Sequence, residues 1–131
     1  MITYAVKTRK RNELVDITDL VRKAVSESGV ATGQCLIYVP HTTAGITINE
    51  NADPSVKSDL LMALGKSVPD TYPYTHLEGN SPAHVKASLV GSSTMVLIDS
   101  RRPVLGTWQG IFFCEFDGPR NRKVYMKVIS N

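Results

Sequence analysis

Between Thr94 and Ile129 the sequence reads TMVLIDSRRPVLGTWQGIFFCEFDGPRNRKVYMKVI, and most of it favours extended chain. Thr94 to Asp99, Val104 to Thr107, Gly110 to Phe116 and Lys123 to Ile129 are short runs rich in β-branched and aromatic residues, separated by Gly, Pro, Asp and Asn. That is the pattern of strands joined by tight turns. Helical signals lie upstream. Thr18 can cap a helix through Leu20, Val21, Ala24 and Val25, with Gly29 as its left-handed stop. Asp53-Pro54 is a cap followed by proline at the first helical position, and Val56, Leu60, Leu61 and Leu64 recur at helical spacing as far as Gly65. Ser81-Pro82 starts a third helix that runs to about Val90 and stops at Gly91.

The remaining segments also read as strands. Ile2 to Lys7 alternates apolar and polar residues, Arg9 to Asn12 is a charged turn, and Glu13 to Ile17 resumes the alternation, so the three form a predicted hairpin. Cys35 to Val39, ended by Pro40, is a continuous apolar run expected to be buried on both faces, with a short strand following at Ile46 to Ile48. Helices and strands are partly segregated rather than strictly alternating. This predicts an α+β fold in one domain over residues 1–131, with a mainly antiparallel sheet in a sandwich or barrel-like layer and about three helices.

Length and composition agree. A chain of 131 residues buries roughly two-thirds of its unfolded surface, and 42% hydrophobic with 21% charged residues excludes disordered and disulfide-stapled classes. The longest apolar run, Met95 to Ile98, is far short of a membrane span. The N-terminal stretch MITYAVKTRKRNELVD lacks the pattern of an export signal, so a cytoplasmic, membrane-free protein is expected. Cys35 and Cys114 sit in apolar runs and read as buried reduced thiols. A net charge of +3 suits an anionic ligand. The basic residues lack aromatic interleaving, which argues against nucleic acid, and charged strand edges explain most of them equally well. Gly65-Lys66-Ser67 is not a phosphate-binding loop: the required first glycine falls at Leu60, and the triplet lies where a helix ends.

The residues able to carry chemistry lie at the ends of elements. His41 follows the Cys35 to Val39 strand, His76 lies in the loop before Asn80, and His84 is in the first turn of the third helix. Imidazoles bind metals and transfer protons near neutral pH. Their spacing matches no metal motif, so three ordinary histidines remain the alternative to a metal site. Glu50 and Asn51 place a carboxylate and an amide at a strand end, whereas Asp53 reads as a cap. Thr42 and Thr43 offer hydroxyls, and the amides from Ser81 to His84 favour an anion. Asp117-Gly118-Pro119-Arg120 reads first as a turn and second as a carboxylate beside a phosphate-binding guanidinium. Trp108 can wall a pocket or simply pack.

Five segments, His41-Thr42-Thr43-Ala44, Asn49 to Pro54, His76 to His84, Leu105 to Gly110 and Glu115 to Arg120, stand in a characteristic order and spacing. In them, and over nearly its whole length, the chain resembles the YjbQ-like family, often labelled secondary thiamine-phosphate synthase. Arg101 and Pro103 depart from the glycine turn and apolar residue often found there. The resemblance implies a compact α+β fold, a homotrimer, and histidines gathered in a cleft near a subunit boundary. It strengthens the case for a divalent metal, zinc or magnesium, on His41, His76 and His84. The implied activity joins a pyrimidine diphosphate to a thiazole phosphate, releasing pyrophosphate; the alternative is a metal- and phosphate-binding protein with another phosphoryl or hydrolytic reaction, or none. On these grounds His41, Glu50, His76, His84 and Asp117 are the expected catalytic residues. Thr42, Thr43, Asn51, Asn80, Ser81, Trp108 and Arg120 are the expected contacts to a small phosphorylated molecule.

Overall fold

Capping and glycine stops set the three helices of the computed structural model, which describes residues 1–131. Helix α1 (Thr18–Ser28) closes at Gly29, whose φ of 71° is left-handed. Its start is held by Asp16 rather than by Thr18: the Asp16 carboxylate accepts from Thr18 N–H at 2.9 Å and from Thr18 Oγ1 at 2.6 Å. The Thr18 hydroxyl oxygen in turn accepts from Ile111 N–H, tying the helix to a neighbouring strand. Helix α2 (Pro54–Ser67) follows its cap, with Asp53 accepting from Ser55 N–H at 2.9 Å. It runs on through Gly65-Lys66-Ser67, two residues beyond the expected stop. None of its residues is fully buried, and Val56, Leu60, Leu61 and Leu64 are half-buried. Helix α3 (Ser81–Val90) starts and ends as its signals predict.

Eight strands form two antiparallel sheets. The first, in the order β1-β8-β3-β5-β6, uses β1 (Ile2–Lys7), β3 (Gly33–Tyr38), β5 (Ser93–Asp99), β6 (Arg102–Pro103) and β8 (Asn121–Ser130). The second, in the order β2-β7-β4, uses β2 (Glu13–Asp16), β4 (Ala44–Glu50) and β7 (Gln109–Glu115). The predicted α+β sandwich is therefore present.

The predicted hairpin is not. β1 pairs with β8, Ile2 opposite Met126, whereas β2 pairs with β7, Glu13 opposite Glu115. Residues 8–12 cross from one sheet to the other, and alternation within each strand cannot show which partner it takes. At this crossing Gly118 N–H donates to the Arg11 carbonyl. A Cβ at Gly118 would collide with the Lys10 carbonyl oxygen, Glu115 Cγ and Thr8 Oγ1, so the crossing needs glycine there.

Two further expectations change. β3 alternates, with Cys35 and Ile37 buried, Leu36 half-buried and Tyr38 exposed; the strand buried on both faces is β7, from Gly110 to Glu115. Val104 to Thr107 is loop, because the strand pairing after β5 ends at Pro103. Between the sheets lie Ile37, Val96, Val124 and Met126 from the first, Ile46, Ile111 and Phe113 from the second, and Val21, Ala24 and Val25 from α1. α3 packs Ala83 and Ala87 on Cys114 and Phe116, covering the other face of β7. Both thiols are free and buried; burial pushes Cys35 up to about 11 and Cys114 up to about 12. No helix is long and apolar enough to cross a membrane.

Candidate functional site

The site grows from a buried ion pair. β8 alternates inward and outward, so Arg122 points inward with Val124 and Met126. It meets Glu115, fully buried at the end of β7. Arg122 Nε donates to Glu115 Oε1 at 2.8 Å, and Arg122 Nη2 donates both to Glu115 Oε2 and to Thr43 Oγ1, the latter at 2.8 Å. Glu115 also accepts from the Thr8 hydroxyl and from Phe116 and Asp117 N–H. Burial alone would raise its pKa, but these hydrogen bonds, led by Arg122, outweigh that and hold it below the ordinary value. The pair fixes the ends of β7 and β8 against the segment that follows β3.

On this base, His41, Thr42, Thr43, His76, Asn80, His84, Asp117 and Arg120 line one cleft of about 450 Å³, together with Glu78 and Arg122. His41 is oriented by the backbone. Pairing of β3 with β8 ends at Tyr38 opposite Tyr125. Lys123 N–H lies two residues past that point and donates instead to His41 Nε2, at 3.0 Å. With Nε2 accepting, a neutral His41 ring carries its proton on Nδ1, its remaining polar atom. Desolvation first, then the Arg122 charge, lowers the His41 pKa from its ordinary value, so the ring is neutral at pH 7.

The rings of His76 and His84 meet edge to face, with centroids 5.4 Å apart. Asp117 Oδ2 accepts from Asn80 Nδ2 at 2.9 Å and from Arg120 Nη2 at 3.0 Å. Arg120 Nε donates to the Asp117 carbonyl, so the turn reading and the paired-charge reading both hold at this corner. Partial burial would raise the Asp117 pKa, but hydrogen bonds from Asn80 and Arg120 hold it low. Asn80 Oδ1 is buried with no partner.

The expected ligand set for one ion is not assembled. No three His, Cys, Asp or Glu side chains are disposed to hold a metal. His41 spends Nε2 on Lys123 N–H, and ligation through Nδ1 would require the proton to move onto Nε2, against that donor. Ser81 lies outside the cleft lining. The anion site expected at the start of α3 is also thinned, because Pro82 has no N–H and Ala83 N–H donates to the Asn80 carbonyl.

Glu50, Asn51 and Trp108 belong to the opposite end of the second sheet. Glu50 pairs with Gln109 while Ala44, beside the cleft, pairs with Glu115. These positions are separated by the seven residues of β7, roughly 20 Å. Glu50 there accepts from Ala52 N–H, and Asn51 N–H donates to the Trp108 carbonyl. Trp108 is exposed. Conversely, Glu115 and Arg122 carry the site yet were not singled out from sequence. Their signals were a lone acid in the apolar run Ile111 to Phe116 and a charge on the inward period of β8.

The fold and cleft define a two-sheet α+β protein with a histidine- and arginine-lined pocket where β7, β8 and α3 converge. Residues 2–131 match the family model described as UPF0047 protein YjbQ-like, and the chain belongs to that family. It is 59% identical to a UPF0047 protein of Methanocaldococcus jannaschii over all of this chain and 95% of that one. Identity to the UPF0047 protein YugU of Bacillus subtilis is 52%, over 97% of each. Among solved structures it is similar to a YjbQ/UPF0047 family protein of Clostridium acetobutylicum, with a TM-score of 0.97 and 56% identity over 98% of this chain and 100% of that one. A YbjQ-like protein of Sulfolobus solfataricus gives a TM-score of 0.95 at 34% identity, over 99% and 96%.

Proposed function

We propose that the histidine cleft binds a phosphorylated small molecule and carries out a transfer in which pyrophosphate leaves, a reaction of the thiamine-phosphate synthase type. The observation that carries this reading is His41: Lys123 N–H occupies Nε2, so the neutral ring presents Nδ1–H as a donor in a cleft shared with Arg120, His76 and His84. Hydrogen-bond donors and a guanidinium around a leaving phosphate stabilise charge as it develops. In the reaction proposed, the thiazole nitrogen attacks the methylene carbon of the pyrimidine diphosphate. A C–N bond forms, the C–O bond to the diphosphate breaks, and the diphosphate leaves with that electron pair. Arg120 faces the leaving group, while Asp117 and Asn80 act by orienting Arg120. His84, with the His76 ring against it, supplies a proton to the departing oxygen.

The test is pyrophosphate release from a pyrimidine diphosphate plus a thiazole phosphate, with wild type and His84→Ala compared. Turnover that falls at least a hundredfold in the variant, with the fold intact by circular dichroism, supports the reading. Undiminished turnover in His84→Ala, or none in wild type, overturns it.

A second reading, a metal- and phosphate-binding protein with a different phosphoryl or hydrolytic reaction or none, is favoured by the approach of the His76 and His84 rings. Zinc or magnesium would then rest on these two rings, without His41. Elemental analysis of wild type and His84→Ala separates the readings. We also take the protein to be a cytoplasmic homotrimer. The support for assembly is the outer face of the five-stranded sheet, where Tyr38, Met95 and Leu97 are exposed side by side on β3 and β5. Sedimentation equilibrium checks it.

A further inference from the structure

A hollow of about 710 Å³, larger than the histidine cleft, lies elsewhere in the molecule. It lies at the Gln109 end of β7, between α1 and the β5–β6 turn, and shares no residue with the cleft. Its size suits a ligand of metabolite dimensions. Three guanidiniums line it, from Arg22, Arg101 and Arg102, and no carboxylate does. Arg101 and Arg102 form no ion pair, whereas Arg22 is partnered by the exposed Asp19. Gln109 is fixed by accepting Gly106 N–H on Oε1 at 2.8 Å, which leaves its amide N–H groups as donors.

The turn that presents the arginines is under strain. Ser100 and Arg101 have φ of 51° and 63°, the two consecutive left-handed positions of a tight hairpin turn, where Asn-Gly is the favoured pair. A long side chain in this region is held at a cost that persists when the position serves a site. The turn is locked in place by Arg101 N–H donating to the Ala31 carbonyl just past α1. Neither a solvated hairpin tip nor core packing requires arginine at such a position.

We propose that this groove is a separate binding site for a small multiply charged phosphate compound of the diphosphate type, gripped by Arg22, Arg101 and Arg102. Planar guanidiniums match phosphate oxygens in pairs, and Arg101 and Arg102, both without an acidic partner, suit the two phosphates of a diphosphate, with Arg22 adding hydrogen-bond donors beside them. The proposal is independent of the reaction assigned to the histidine cleft, because the two sites lie at opposite ends of β7.

The experiment is calorimetric titration with inorganic pyrophosphate, and with orthophosphate as comparison, at constant ionic strength. Wild type, Arg101→Gly, Arg102→Ala and Arg120→Ala are titrated. Wild type is expected to bind pyrophosphate saturably at one equivalent per chain at this site, and more tightly than orthophosphate. Arg101→Gly and Arg102→Ala each weaken it at least tenfold, and the same loss is expected in an Arg120→Ala background, where the histidine cleft's own hold on pyrophosphate is removed. Arg101→Gly also raises the melting temperature by about 2–4 °C by relieving the strained φ, so its lost binding cannot be ascribed to unfolding. Wild-type affinity retained in both turn variants overturns the proposal. So does loss of all binding in Arg120→Ala, which assigns the anion to the histidine cleft, and so does the absence of saturable binding.

Discussion

Removing Arg122 tests the buried pair from which the cleft is built. In Arg122→Ala the Glu115 carboxylate, fully buried, loses the guanidinium on both oxygens but keeps the Thr8 hydroxyl and the Phe116 and Asp117 amides. Breaking one side of a buried pair costs about 3–5 kcal/mol. The three surviving donors place this case near the low end, about 3 kcal/mol, with the melting temperature lowered by roughly 10 °C. The loss depends on pH. Glu115 has a depressed pKa in the folded protein, so its contribution is complete above the unfolded value, near 4.5, and is lost as pH falls through the folded value. In the variant only the Thr8 hydroxyl and the backbone amides still oppose the effect of burial, so the depression shrinks and the stabilities of wild type and variant draw together in acid. Urea unfolding followed by circular dichroism at pH 7.5 and at pH 4, at equal protein concentration, measures both differences. A deficit under about 1 kcal/mol at pH 7.5, or one that grows as the pH falls toward 4, would refute the assigned network.

Other outcomes follow from the same geometry. In an NMR titration His41 is expected to protonate below 6.5, because desolvation and Arg122 oppose its charge, so whatever stability its neutral form provides is present above that pH and declines below it. A His41 ring titrating above 6.5 contradicts the orientation given to it. Cys35 and Cys114, buried and with raised pKa values, should resist an aromatic disulfide reagent in native protein and react once urea is added; fast native labelling would be inconsistent with the packing of β3 and β7. Gly118→Ala forces a Cβ onto the Lys10 carbonyl and into the Glu115 network, and should destabilise by at least about 2 kcal/mol in chemical denaturation.

Local chemistry made the helices readable. Asp53-Pro54, Ser81-Pro82 and Gly29 act within a turn of their own position, so α2 and α3 begin and α1 ends where those residues stand. Strand partners are set by contacts distant in sequence. Nothing near Ile2 tells that it lies opposite Met126 rather than folding back on β2. The site divides in the same way. His41, His76 and His84 announce themselves by residue type, and the fold does bring them to one cleft. The polar groups near Glu50 and Trp108 look equally functional in sequence, yet the length of β7 separates them from the histidines. Arg122 carries no such mark in the sequence, because its role depends on Glu115 being buried opposite it.

The position of β8 between β1 and β3 bears on how the protein comes into being during translation. Residues 2–7 emerge from the ribosome long before residues 121–130 and have no strand partner until those follow. For most of synthesis the first sheet has a gap at its second position, with β1 and one edge of β3 waiting. Pairing over so long a separation is slow to find and leaves sticky edges open meanwhile. The late strand also brings Arg122 and the Lys123 amide, so Glu115 has no guanidinium and His41 no backbone donor before it arrives. Completion of the sheet and assembly of the cleft are thus one event, and a nascent chain stalled before Asn121 holds neither.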